Sequence, residues 1–108
     1  MSPKTLALRW IGPALVVALL TGCGQPPQIG ADPVARKEAE ALYTAINSRR
    51  ENLLAECRER LSRLHQEGRL GASPYEAMIA IADQADAGDW EPAAESLWTF
   101  MRKQGKAE

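Results

Sequence analysis

Between Pro33 and Gly68 the chain contains neither proline nor glycine, while on both sides of that stretch these residues crowd together. Proline lacks the amide that a helix or sheet interior needs, and glycine costs backbone entropy in either. The uninterrupted stretch is therefore free to be helical, and its borders are not. Gly24–Pro33 reads Gly-Gln-Pro-Pro-Gln-Ile-Gly-Ala-Asp-Pro, which predicts a flexible, semi-extended tether over residues 23–33. Gly68-Arg69-Leu70-Gly71 and Ala87-Gly88-Asp89 predict two chain reversals. The expected fold is all-α: a small antiparallel bundle of about three helices over residues 34–104.

Apolar periodicity fills in these segments. Asp32-Pro33 is a helix start, with a side chain that accepts free amides and a proline that tolerates the first position. Ala39, Leu42, Ile46, Leu54, Cys57, Leu61 and Leu64 then mark one face in steps of three or four, with a single gap at Asn47–Asn52. Ser48 and Glu51 in that gap have capping-box spacing, so the stretch is either one long helix or two with a break near Asn47–Ser48. With no glycine or proline to enforce the break, the single helix is favoured. On its outer face, Glu56 with Arg60 and Glu59 with Arg63 have ion-pair spacing. Ser73-Pro74-Tyr75-Glu76 opens the second helix, with Tyr75, Met78, Ile79, Ala82 and either Ala85 or Asp86 on its face and Ile81 alongside. Asp89 is the expected cap of the third, whose stripe is Trp90, Ala93, Ala94, Leu97, Trp98 and Met101. Bases outnumber acids from Arg36 to Arg69, and Leu70–Glu95 holds acids and no base. Folding one half onto the other would bring opposite charges together.

The amino-terminal segment has a different character. Lys4 and Arg9 precede the apolar run Trp10–Leu20. This is the charge and length pattern of an export signal, too short at about 1.5 Å per residue to cross a ~30 Å hydrocarbon core. Leu20-Thr21-Gly22-Cys23 follows, and this run resembles the lipobox of bacterial lipoproteins at all four positions. The resemblance implies a signal peptide over residues 1–22, recognised by the peptidase through Leu20, Thr21 and Gly22 and cleaved before Cys23. Cys23 would then carry diacylglycerol and an N-acyl chain, the covalent lipid being the only prosthetic group expected. Two or three acyl chains make a stable anchor, where one is marginal. In Gram-negative members Asp after the cysteine favours the inner membrane; Gly24 here points to the outer membrane, on its periplasmic face.

The stretch Ala80–Met101, with its Gly88-Asp89-Trp90 turn followed by Ala93, Leu97 and Met101, resembles half of a tetratricopeptide-type helix pair. Leu61–Met101 is also similar to the carboxy-terminal helical domain of the steroid receptor RNA activator, at Leu64, Gly68, Leu70 and Gly88. Both resemblances imply antiparallel helices and a protein-binding habit. No second copy of a repeat is present.

Residue chemistry bounds the function. A formal net charge of −1 gives no basic surplus for nucleic acid. His65, the single histidine, lacks partners for a nucleophile triad or a histidine metal site and reads as a surface residue. Asp83, Asp86, Asp89 and Glu91 lack the spacing of a calcium loop, so no metal is expected. Cys57 on the apolar face reads as a small buried hydrophobe, or alternatively as an intermolecular disulfide in an oxidising compartment. Trp98 and Phe100 point about 160° apart on a helix, so one of them faces outward. Beside Arg102 and Lys103 such a ring is a candidate contact for a partner or for lipid headgroups, which makes Trp98, Phe100 and Arg102 the candidate interaction residues. The expectation is a non-enzymatic, lipid-anchored envelope protein without catalytic residues or a small-molecule substrate, acting as a protein-interaction or adaptor module. Alternatives are a helical periplasmic chaperone or stress sensor, although the Leu-Thr-x-x-Gln repeats of one such family are absent, and a self-associating structural lipoprotein linked through Cys57. A peptidoglycan linker would attach through a terminal Lys, whereas this chain ends Lys106-Ala107-Glu108.

Overall fold

A computed structural model describes residues 25–105. The expected signal peptide, with Leu20, Thr21 and Gly22, and the expected lipid-attachment site at Cys23 lie outside the described residues. Four helices follow one another: α1 Pro33–Asn47, α2 Glu51–Gln66, α3 Ala72–Asp86 and α4 Trp90–Arg102. There is no strand among the described residues. The bundle therefore has one helix more than expected, because the long proline-free stretch does break.

The break comes from backbone geometry that composition does not announce. Arg49 adopts a left-handed conformation, with φ 55°. Its amide bonds to the carbonyl of Ile46 and the Arg50 amide to that of Ala45, each at 3.0 Å. This is the Schellman arrangement, which satisfies the last carbonyls of a helix while turning the chain away. The same pair of bonds recurs at Gly68, with φ 78°, and at Gly88, with φ 101°. Glycine supplies that conformation freely, and arginine does not. Ser48 closes α1 by donating from its hydroxyl to the Thr44 carbonyl at 2.6 Å, so the expected capping box with Glu51 does not form. Residues Arg50, Gly71 and Asp89 precede α2, α3 and α4 without side-chain cap bonds: Asp89 holds the cap position expected of it but accepts no helix amide, and Ser73 lies inside α3 and not at its cap. Asp32 does cap α1, accepting from Val34 at 2.9 Å and Ala35 at 3.2 Å.

The helices form an antiparallel ring in which each packs on its two chain neighbours and α1 closes against α4. Leu42, Ile46, Leu54, Leu61, Leu70, Met78 and Leu97 fill the interior, all at 1% exposure or less. Alanines at 35, 39, 45, 82, 85 and 93 are buried with them, at 2% exposure or less. Their short side chains let the axes approach closely, where interior packing depends on filled space.

Ion pairs set the register of the ring. Arg60 donates to both carboxylate oxygens of the buried Glu38, at 2.9 and 3.0 Å, joining α2 to α1. Arg60 also makes the expected i,i+4 ion pair with Glu56, longer at 3.8 Å, whereas Glu59 and Arg63 form no ion pair among the described residues. Arg58 meets Asp83 at 2.6 Å, a link between the basic half and the acidic one. Arg69 donates to both oxygens of Asp32 at 2.8 and 3.1 Å, and this bond, aided by the Ala35 and Val34 amides, holds the Asp32 carboxyl below the usual carboxylate range.

The segment before α1 is neither helix nor strand, as its prolines dictate, but from Pro27 onward it is docked on the bundle. Ile29 is 6% exposed and joins the core. Its amide donates to Gln104 Oε1 at 2.6 Å, and Gln104 Nε2 donates to the Pro27 carbonyl at 3.0 Å. Gln28 bridges the Lys103 carbonyl and the Gly105 amide, and Arg36 reaches the carbonyls of Gly30 and Gly105. The start of α1 is thus stitched to the end of α4.

Arg49→Gly relieves the left-handed arginine. It should stabilise the fold by about 0.5–1 kcal/mol, the steric gain exceeding the added chain entropy. The check is the urea midpoint of the full chain, with the slope unchanged.

Candidate functional site

Helix α4 buries only part of its expected stripe, Ala93 and Leu97, and adds Phe100 from beside it. The buried line is Ala93, Leu97 and Phe100, at spacings of four and three. The ring packing requires this, since α4 must fill the space between α1 and α3 with one narrow edge. Phe100, expected as a candidate surface contact, is 5% exposed and belongs to the core. Trp98 is 51% exposed, and Trp90 and Met101 are half-buried at the flanks. Arg102 is exposed one turn beyond Trp98.

Trp98 leans toward α1 and meets Tyr43, their ring centroids 5.8 Å apart and their planes tilted by 46°. Tilted aromatic pairs at this range are favourable and hold each other's rotamers. Together they wall a surface groove of about 290 Å³ whose other lining is Asn47, Glu91, Ala94 and Glu95. It continues into a narrower space of about 120 Å³ bordered by Ile46, Asn47, Arg49, Trp90, Glu91 and Ala94. The groove thus runs along the α1–α4 seam, from the Tyr43–Trp98 pair to the Arg49 reversal. Tyr43 and Asn47 were not singled out from sequence. The available signal was their i,i+4 spacing on the flank of the α1 apolar face.

The other candidates have structural roles. Cys57 is 1% exposed, its Sγ 3.5 Å from Arg60 Nη2. Burial, with the nearby Glu38 carboxylate second, pushes its thiol up to about 11. A sealed, protonated thiol is a poor partner for an intermolecular disulfide. This corrects the disulfide candidacy of Cys57 in favour of a small buried hydrophobe. His65 stacks on Tyr75 at 4.6 Å, nearly parallel, and its Nδ1–H donates to the Leu70 carbonyl at 2.9 Å. It ties α2 to α3 across the Gly68 reversal. Among the described residues no three of His, Cys, Asp or Glu gather as a metal site would require. A shallow concavity of about 470 Å³ along the outer edge of α2, lined by Ala55, Glu56, Arg58, Glu59 and Ser62, draws on a single helix.

Among the described residues no helix is long and apolar enough to cross a membrane. Comparison with protein-family models, curated proteins and solved structures finds no significant match.

Two substitutions separate groove from core. Trp98→Ala should cost under about 1 kcal/mol, as expected of an exposed position, whereas Phe100→Ala should cost about 3–5 kcal/mol. Chemical denaturation of both variants measures the difference. Cys57 should resist a thiol-reactive maleimide in the folded full-length chain and react rapidly in denaturant.

Proposed function

We propose that this chain is a non-enzymatic lipoprotein of the bacterial envelope, a helical interaction module held at a membrane through Cys23. The observation that carries the reading is Leu20-Thr21-Gly22-Cys23 behind a basic and then apolar leader. The docked segment adds a geometric argument. Lipid on Cys23 would lie five residues before Gln28, within about 18 Å of the α1–α4 end even if that link were fully extended. That same end carries Arg36, Arg69, Arg102 and Lys103, which suits proximity to anionic headgroups. The Tyr43–Trp98 groove runs toward the opposite end of α1, which ends about 20 Å farther along the helix axis. Its aromatic surface would then face the aqueous compartment and a protein partner, not lipid headgroups.

The test is mass analysis of the amino-terminal peptide together with membrane fractionation, for the natural chain and for Cys23→Ser. The natural chain should begin at Cys23 and carry acyl mass; the variant should lose both the cleavage and the acyl groups. A natural chain that retains Met1 and has no added lipid would refute the anchor.

A further inference from the structure

The groove has a chemistry of its own, and its occupant deepens the reading above. We propose that the groove between α1 and α4 receives a single basic side chain, lysine or arginine, presented by a partner protein. Two observations converge on a cation. Trp98 is half-exposed beside Tyr43, and aromatic faces attract a cation placed within about 6 Å of a ring centre. Glu91 and Glu95 line the same groove one turn apart, and neither has an ion-pair partner among the described residues.

The opposing charges define the place more closely. The amino-terminus of α4 contributes positive partial charge beside Glu91, which makes Glu95 the stronger attractor. Arg49 stands at the narrow end and Arg102 one turn past Trp98. A cation therefore fits between these two arginines, over the Trp98–Tyr43 pair, and a second cation alongside it would be repelled. Ala94 in the groove lining leaves room for the aliphatic stem of a long basic residue, so that stem and head group are both accommodated.

The occupant is tested with the capped peptide Gly-Leu-Arg-Leu-Gly and its citrulline twin, which keeps the shape and removes the charge. Each is titrated into the full-length chain in detergent micelles while the Trp98 indole N–H resonance is followed, assigned by its loss in Trp98→Phe. The arginine peptide should shift that resonance saturably and bind at least about tenfold more tightly than the citrulline peptide, an advantage that falls as salt rises. Glu91→Gln combined with Glu95→Gln should abolish the preference while circular dichroism and thermal midpoint stay close to those of the natural chain. Equal binding of the two peptides, absence of binding by both, or a preference that survives the double substitution would each overturn the proposal. The Cys23→Ser chain should respond like the natural one. A failed anchor and a failed groove are thus told apart.

Discussion

The packing of α1 against the rest of this bundle depends on the chain being able to turn back after Asn47. A helix running uninterrupted from Pro33 to Gln66 would be roughly 50 Å long at 1.5 Å per residue, more than twice the length of α3 or α4. The left-handed Arg49 and its two backbone bonds fold that rod into a hairpin and place Glu38 opposite Arg60. The Gly68 and Gly88 reversals repeat the operation with a residue suited to it. At position 49 the strain is held by what the hairpin gains: the burial of Leu42, Ile46, Leu54 and Leu61 against one another.

That reversal is also where sequence reasoning fell short. The rule that helices end at glycine or proline is statistical, and a non-glycine residue in the left-handed region leaves no compositional mark. The Ser48–Glu51 spacing did flag the right place, but for the wrong reason, since Ser48 closes the first helix instead of opening the second. Periodicity did better, because it reports burial directly. Leu42, Ile46, Leu54, Cys57, Leu61 and Leu64 all lie in the core as their spacing requires. For α4 the stripe was broader than the buried edge, so the sequence alone left Trp98 and Phe100 undecided between inside and outside. Only the positions of α1 and α3 resolve which of the two the core can take.

The groove illustrates how a surface feature arises from packing constraints elsewhere. Once Ala93, Leu97 and Phe100 are committed to the interior, Trp98 must sit on the flank, and the flank it occupies is the one shared with α1. The alanine-rich interior brings the helix axes close enough for Tyr43 to reach it. The acidic character of α4's early turns completes the lining. No single stretch of sequence contains this site; its residues come from the two helices farthest apart along the chain, and it exists only after the ring has closed.

The stitching of Gln28 and Arg36 to Gly105 means that the two described ends of the chain are within hydrogen-bonding distance. In topological terms the bundle is a closed loop of four rods whose opening point is incidental. A short linker across that junction, with new termini cut at any of the three reversals, would preserve every helix neighbour. It also means that a pull on the amino-terminal strand is not borne by α1 alone. The load divides at once between the first and last helices, the pair whose seam forms the groove.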